Sequence, residues 1–158
     1  MAHWLMKSEP DTFSIDDLAA RPRQTESWDG VRNYQARNFM RAMRKGDTAL
    51  FYHSNCEQPA IVGLMRVVTE AYPDPTQFDR KHDHYDPKSK PEEPRWSLVD
   101  VQFERKLKRA ITLTELRAHV DALAGFALLM KGSRLSVMPV RAEHFAHLLK
   151  LEKSKTAA

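Results

Sequence analysis

The chain has 158 residues, 42% hydrophobic and 29% charged, which is enough for one domain with a buried core. Its single cysteine excludes an internal disulfide and a multi-cysteine zinc site, and its longest apolar run, near 126–130, is far shorter than the roughly 20 residues that span a bilayer. The net charge of +4 is segregated, because residues 21–45 hold seven basic and two acidic side chains whereas 46–104 hold six and eleven. This segregation is compatible with a basic face that attracts phosphate.

The first part of the chain predicts one strand and two helices. Residues 3–7 form a short apolar run typical of a strand. Ser14 and Asp17 have the spacing of a capping box, so a short helix begins after Ser14. A second helix is predicted over 33–43, with Asn33 as its N-cap. One face of this second helix carries arginines at helical spacing, namely Arg37, Arg41 and Arg44.

The middle of the chain predicts three strands and a long loop. Residues 48–53 and 60–69 form two strands, and Gly63 in the second suggests a bulge or a close backbone approach. Residues 72–95 hold five of the nine prolines and predict a long irregular loop, which in a compact domain is often functional. Residues 96–105 alternate apolar and polar side chains, as a half-buried strand does.

The last part predicts short helices over 112–120 and 122–130, a strand over 135–140 and a helix over 141–149. Interspersed strands and short helices with few βαβ units favour the α+β class. We expect a small barrel-like sheet of about five to six strands with peripheral helices. We also expect a single domain over residues 1–158 that carries the loop at 72–95.

The stretch from residue 28 to 44 contains residue types that suit a nucleobase. Aromatic rings stack on bases, amides can read a base edge, and guanidinium groups hold phosphate. Trp28 lies in a polar neighbourhood, so we expect an exposed or half-exposed indole there, and Asn33 either reads a base or only caps its helix. The backbone amides of Gly30 and Val31 could bind a base edge or an anion. If the chain binds phosphate, we expect the contacts to come from Arg32, Arg37 and Arg41.

Two other clusters allow catalytic interpretations. Lys7 and Glu9 follow the first strand and could act in general acid–base catalysis if both faced a pocket. The alternative is an ordinary ion pair between them on the surface. Cys56 lies three residues from His53, but no partner acid is evident, so a Cys–His nucleophile is not favoured. Glycine-rich phosphate loops, serine nucleophile elbows and HExxH motifs are absent from the sequence.

The long loop also contains residue types that can bind metal. His82, His84 and Asp86 would share one face of an extended segment, but a fourth ligand is not evident. We therefore expect neither a metal nor another cofactor.

Six separated segments together resemble the EVE domain, and the similarity extends over about residues 3–150. The segments are Trp4-Leu5-Met6-Lys7-Ser8-Glu9-Pro10, Trp28-Asp29-Gly30-Val31-Arg32-Asn33-Tyr34-Gln35-Ala36-Arg37-Asn38, Phe51-Tyr52-His53-Ser54-Asn55, Tyr72-Pro73-Asp74-Pro75-Thr76-Gln77-Phe78-Asp79, Pro94-Arg95-Trp96 and Arg134-Leu135-Ser136-Val137. The resemblance implies a PUA-like fold, related to PUA, ASCH and YTH domains. It also implies a non-catalytic reader of modified bases in DNA or RNA that takes a flipped nucleotide into an aromatic-lined pocket.

The resemblance and the residue types together predict the pocket residues. They are Lys7, Ser8, Trp28, Gly30, Val31, Asn33, Tyr34, Tyr52, His53, Ser54, Trp96 and Ser136. A hydrolase of modified nucleosides like those in ASCH-type domains is the alternative, with Lys7 and Glu9 as its catalytic groups, and a protein-interaction domain is a third hypothesis.

We expect a monomer without membrane contact. The chain lacks the basic N-terminal extension expected of nuclear relatives, so we expect a bacterial cytoplasmic protein, or a nuclear one in a eukaryote.

Overall fold

The structure is a computed structural model that describes residues 1–132 and 134–154. The strands are β1 (His3–Ser8), β2 (Thr25–Ser27), β3 (Thr48–His53), β4 (Ala60–Val67), β5 (Tyr72–Pro73), β6 (Ser97–Leu98), β7 (Asp100–Thr112) and β8 (Val137–Val140). The helices are α1 (Ile15–Ala20), α2 (Tyr34–Ala42), α3 (Leu113–Ala118) and α4 (Ala142–Lys153). Short 3₁₀ helices occur at Pro22–Gln24, Pro75–Phe78 and Ala127–Leu129.

The main sheet has six strands in the order β2-β7-β4-β3-β1-β8 and curls into a half-barrel. β1 pairs in parallel with β3, whereas the other neighbours pair antiparallel. β5 and β6 form a separate two-stranded ribbon. Short helices surround this mixed sheet, so the predicted α+β class is confirmed.

The sheet buries hydrophobic side chains on both faces because successive residues of a strand point to opposite sides. One core contains Trp4, Met6 and Phe51 together with side chains of α1, α2 and the loop that precedes α2. The opposite core contains Leu5 and Tyr52 with side chains of α3, α4 and the 123–129 segment. We call them the first core and the second core.

Local signals in the sequence are confirmed where they act within a few residues. Ser14 and Asp17 form the capping box of α1, and the Asn33 side chain accepts the Ala36 N–H at the start of α2. Gly63 lies at a register shift between β4 and β7, and a Cβ there would be 2.7 Å from Cδ1 of Ile15. A close backbone approach therefore explains the glycine.

Two predicted elements differ from the structure. The strand predicted to end at 105 continues through Thr112, because β7 pairs with β4 at both of its ends. The helix predicted over 122–130 is wrong, since this segment contains turns and only the short Ala127–Leu129 helix. Gly125, with φ +88°, interrupts the backbone there. Among the described residues no helix is long and apolar enough to cross a membrane.

One buried glutamine holds parts of the long loop together. Gln77 Nε2 donates to the carbonyls of Asp74 (2.6 Å) and Trp96 (2.8 Å). Its Oε1 accepts hydrogen bonds from Ser89 Oγ (2.6 Å) and the Trp96 amide (3.1 Å). Because every Gln77 contact joins parts of the segment 74–96, this loop has a defined path despite its irregular backbone.

Candidate functional site

A cavity of about 490 Å³ opens on the first-core side of the sheet. Its walls come from the end of β1 and the following turn, from β2 and the loop after it, and from one residue of the long loop. The lining residues are Lys7, Ser8, Glu9, Thr12, Phe13, Arg21, Glu26, Ser27, Trp28, Asp29, Gly30 and His84. This volume is within the range of small-molecule sites, and its mixed lining combines flat rings with charged and hydroxyl groups.

Trp28 forms the aromatic wall, but it is not the exposed indole that the sequence suggested. Only 7% of the residue is exposed. Its ring packs edge-on against Phe51 (centroids 5.3 Å apart) and Phe13 (6.2 Å). Its neighbours in sequence are polar, yet the chain turns the ring onto the first core. The Nε1–H of Trp28 has no protein acceptor in the described part of the chain, whereas Trp4 and Trp96 donate theirs to Asp47 and Asp86.

Buried Asp74 holds the loop beside Trp28 to the long loop. Its carboxylate accepts hydrogen bonds from the Gly30 amide (2.8 Å), from Arg32 Nη1 (3.1 Å) and from both the amide and hydroxyl of Thr76. Burial by itself would raise the pKa of Asp74, but these hydrogen bonds bring it below its ordinary value. The Gly30 amide is therefore engaged, and the prediction that it binds a base edge or an anion is not supported.

Arg32 was predicted to bind phosphate, but the structure engages it inside the protein. Its guanidinium donates twice to the His84 carbonyl (2.7 and 3.1 Å), and also to Asp74, Thr76 and the Val31 carbonyl. These five hydrogen bonds use all five N–H groups of an arginine. Arg32 joins the two loops and has no donor left for a ligand.

Gly30 allows the two loops to approach closely. Its φ of +79° is rarely adopted by other residues, and a Cβ there would lie 2.3 Å from Cε1 of His84. We expect Gly30→Ala to lower the free energy of unfolding by more than the roughly 1–2 kcal/mol of backbone strain alone, because His84 must also move. Gly132→Ala is the matched control, with φ +77° and nothing within 4 Å. Urea unfolding of both variants measures the difference, and equal losses would contradict the contact.

Lys7 and Ser8 lie at the end of β1, and both line the cavity. Ser8 Oγ donates to the Phe13 carbonyl (2.6 Å), so it orients the turn and retains acceptor capacity. Burial lowers the pKa of Lys7, and its ammonium has no partner among the described residues. Arg21 and Glu26 form an ion pair (2.7 Å) on another wall. The cavity thus offers a cation, a hydroxyl and the Trp28 N–H to a ligand.

Four other residues predicted for the pocket are either buried in the hydrophobic cores or hydrogen-bonded to the backbone. Asn33 caps α2, and Val31 lies buried in the first core. Tyr52 is buried in the second core, on the opposite face of the sheet, because it is one residue from Phe51 in a strand. Placing Tyr52 in the pocket is therefore wrong. His53 Nε2 accepts the Ile15 N–H (3.1 Å), and burial lowers the pKa of His53, which favours the neutral ring that this bond requires.

Ser54 and Ser136 support the cavity through their backbones. The Ser54 amide donates to the Ser8 carbonyl (2.9 Å), and the Ser136 carbonyl accepts from the Lys7 amide (2.8 Å). Neither side chain lines the cavity. Both residues fix the strand end that carries Lys7 and Ser8.

Tyr34 and Trp96 form a second aromatic group outside the cavity. Their rings stack with centroids 4.8 Å apart, and the Arg37 guanidinium lies 4.7 Å from the Tyr34 ring centroid. Trp96 is buried, whereas 51% of Tyr34 is exposed. They therefore do not share a pocket with Trp28, although Tyr34 presents an accessible ring.

A basic groove of about 420 Å³ lies beside this aromatic pair. It is lined by Arg37, Arg41, Lys88, Lys90, Glu93, Pro94 and Arg95. Arg41 donates through Nε to Ser97 Oγ and through Nη2 to two carbonyls, while no acceptor in the described residues contacts its Nη1. Burial and the charge of Arg37 lower the pKa of Arg41, and an anion in the groove would offset both effects.

Several cavity residues were not singled out as binding residues from sequence. Phe13, Arg21, Glu26 and Asp29 are close in sequence to predicted residues, so proximity to Ser8 and Trp28 could have indicated them. His84 had no such signal, since contacts between residues far apart in sequence, such as those of Arg32 with Asp74 and His84, bring its loop to the cavity. The expected grouping of Asp86 with His82 and His84 is also wrong, because Asp86 accepts the Trp96 N–H (2.7 Å). Asp29 instead lies with the two histidines.

The chain matches the EVE domain model over residues 2–151. It is 51% identical to human thymocyte nuclear protein 1 over 98% of this chain and 75% of that protein, and 53% identical to the zebrafish (Danio rerio) protein of the same name over 96% and 72%.

Solved structures agree with this similarity. Human THYN1 protein in complex with 5-methylcytosine-containing DNA has a TM-score of 0.96 and 50% identity, covering 99% of this chain and 100% of that chain. A protein from Pseudomonas putida has a TM-score of 0.91 and 48% identity, covering 96% and 99%. The predicted EVE assignment and PUA-like fold are confirmed, and this chain belongs to the EVE domain family.

Proposed function

We propose that this chain is a non-catalytic module that binds DNA carrying a modified base, with the base in the cavity beside Trp28. The observation that carries the proposal is this cavity, in a chain that superposes closely on human THYN1, whose structure contains 5-methylcytosine DNA. A flipped base needs a flat apolar wall and polar groups for its edge. Trp28 and Phe13 supply the wall, while the Trp28 N–H, Ser8 and Lys7 supply the polar groups.

The geometry favours stacking on one ring. Trp28 and Phe13 are inclined by 79° to one another, so a planar base cannot lie parallel to both rings. A base that stacks on Phe13 would meet the edge of Trp28, where the indole N–H can donate to it.

The basic groove supports contact with the nucleic-acid backbone. It carries five basic side chains and one acidic side chain, and Arg41 Nη1 has no protein acceptor in the described part of the chain. Phosphate contacts position a protein on DNA without reading sequence. We propose Arg37 and Arg41 for this role and leave Arg32 out of it.

The alternative hydrolase function has no support in the geometry. Lys7 and Glu9 both line the cavity, but Glu9 accepts a hydrogen bond from Asn55 Nδ2 (2.6 Å), and Ser8 Oγ is bound to a carbonyl. Cys56 Sγ contacts the His53 carbonyl and not its ring. Nucleophilic catalysis needs a nucleophile and a base in hydrogen-bond contact. We therefore propose that the module binds without turnover.

A cavity-filling variant tests the proposal. Thr12 is exposed and lines the cavity, so Thr12→Trp should occupy the base site and weaken binding to 5-methylcytosine DNA roughly tenfold, as expected for the loss of a base stack worth about 1–3 kcal/mol. Thr114→Trp is the matched control, an exposed threonine beside a different cavity. Fluorescence anisotropy with methylated and unmethylated duplexes, and with matched RNA, measures the affinities.

The titrations should be repeated at several salt concentrations. Phosphate contacts set the salt dependence, so Thr12→Trp should keep the wild-type slope while losing preference for the modified base. Unchanged affinity and preference in Thr12→Trp, with its fold confirmed by circular dichroism, would refute the cavity assignment. Release of a free base or nucleoside, followed by chromatography, would refute the absence of turnover.

A further inference from the structure

The rim of the cavity brings together three side chains that can bind metal. Asp29 comes from the loop after β2, and His82 and His84 come from a turn of the long loop. One ligand atom from each of the three residues lies within 4.8 Å of the other two. Two imidazoles and one carboxylate are a donor set that suits late first-row divalent metals such as Zn²⁺.

The backbone around the two histidines is fixed before any metal binds. The His84 amide donates to Nδ1 of His82 (3.0 Å), and the Tyr85 amide donates to the His82 carbonyl (3.0 Å). Arg32 holds the His84 carbonyl from the other side. Because Nδ1 of His82 accepts this amide, the proton of its neutral ring lies on Nε2. Coordination through Nε2 therefore moves that proton to Nδ1 and breaks the bond from the His84 amide, so that Nδ1 becomes a donor, as in other metal-binding histidines.

His84 provides a second, independent observation. Its Nδ1 is buried and has no hydrogen-bond partner. Buried polar atoms in native proteins are nearly always paired, so an unpaired nitrogen on a ring that lies with His82 and Asp29 points to a missing partner. The Asp29 carboxylate likewise has no donor among the described residues. A cation would satisfy both groups.

We propose that Asp29, His82 and His84 form a Zn²⁺-type metal site at the rim of the cavity. Ligand atoms around tetrahedral Zn²⁺ are about 3.3 Å apart for bonds of 2.0–2.1 Å, so the three groups must close by at most about 1.5 Å. Asp29 is exposed and His82 is half-buried, which allows this adjustment. Bound metal ties the His82–His84 turn to the loop that carries Trp28, and with three protein ligands it keeps a coordination position for water or a ligand.

The test is a metal titration without DNA, so its outcome does not depend on the proposed base binding. Untagged protein stripped with a chelator is titrated with Zn²⁺ by calorimetry and with Co²⁺ by visible absorption. We expect one equivalent to bind and to raise the Tm, since a ligand of the folded state stabilises it. No saturable binding to the wild type would overturn the proposal.

Two variants remove ligands with little change in shape. His82→Asn places Oδ1 where Nδ1 accepts the His84 amide but lacks Nε2, and Asp29→Asn removes the charge at an exposed position. Each should weaken Zn²⁺ binding by at least roughly tenfold while leaving the Tm of metal-free protein unchanged. His147→Asn is the control, because the rings of His147 and His119 also face each other, with nitrogens 3.4 Å apart. Loss of binding in His147→Asn, with binding kept in His82→Asn, would overturn the assignment.

Discussion

Asp74→Ala is expected to lower the free energy of unfolding by roughly 3–5 kcal/mol, because it leaves a partly buried arginine without its counter-charge. Asp74 is fully buried and pairs with Arg32 at 3.1 Å. The substitution also removes the acceptor of the Gly30 amide, which fixes the loop beside the cavity. Asp74→Asn retains the volume but not the charge, so most of the loss should remain. Urea unfolding measures both variants.

Glu104→Ala is the matched control for Asp74→Ala. Glu104 pairs with Arg66 at 2.8 Å, but the Arg66 side chain is 54% exposed. Exposed pairs typically contribute 0–1 kcal/mol, so this variant should unfold almost as the wild type does. Comparable losses in the two variants would contradict the structural role of Asp74. Amide exchange at Gly30 adds a local readout, and it should accelerate only when Asp74 is replaced.

Low pH should abolish the contribution of Asp74 to the free energy of unfolding. Because the pKa of Asp74 is lowered in the folded protein, its contribution is fully present above the unfolded carboxyl pKa of about 3.9 and is lost as the pH falls through the lower folded value. The stability of the wild type and of Asp74→Asn should therefore converge below about pH 4. A constant difference between them throughout the acid range would contradict the cause of this pKa shift.

The second large effect concerns Trp28. Trp28→Ala should destabilise the protein by about 3–5 kcal/mol, since it removes a buried ring that contacts Phe13 and Phe51. Weak DNA binding by this variant would therefore not separate a lost contact from a lost fold. Trp28→Phe is the sharper change, because it retains a ring and removes the unpaired N–H. It should weaken binding to 5-methylcytosine DNA several-fold, as expected for one hydrogen bond of about 0.5–1.5 kcal/mol.

Trp4→Phe provides the comparison for Trp28→Phe. Trp4 is buried in the same first core, and it does not line the cavity. Both variants should lose stability, but only Trp28→Phe should lose affinity at a temperature where both remain folded. Anisotropy titrations combined with thermal unfolding separate the two effects. If both variants lost affinity equally, Trp28 would act only through the core.

Sequence signals predicted this fold where the interactions are local. The caps at Ser14 and Asn33 depend on residues three positions away, and the alternation at 99–103 reports the faces of one strand. The extent of β7 and the turns at 122–130 depend on pairing and packing with distant segments. Periodicity within a window cannot report such contacts.

The sequence indicated some residues of the candidate site and missed or misplaced others. Lys7, Ser8, Trp28 and Gly30 carry residue types and motif positions that led to the cavity. Tyr52 was misplaced because the motif contains both Phe51 and Tyr52, and only the register of β3 decides which face each side chain occupies. His84 reaches the cavity through Asp74 and Arg32, a connection over some fifty residues that its sequence neighbours do not indicate.

The parallel pairing of β1 with β3 has a consequence for how the protein folds. Parallel neighbours require a crossover, and here residues 9–47 form it. Most cavity walls lie in that crossover, so their positions depend on a contact that closes a long loop at an entropic cost. Such non-local pairing slows folding. The cavity therefore forms only when β1 and β3 have paired. A short fragment of the chain that lacks one of these strands is not expected to form it.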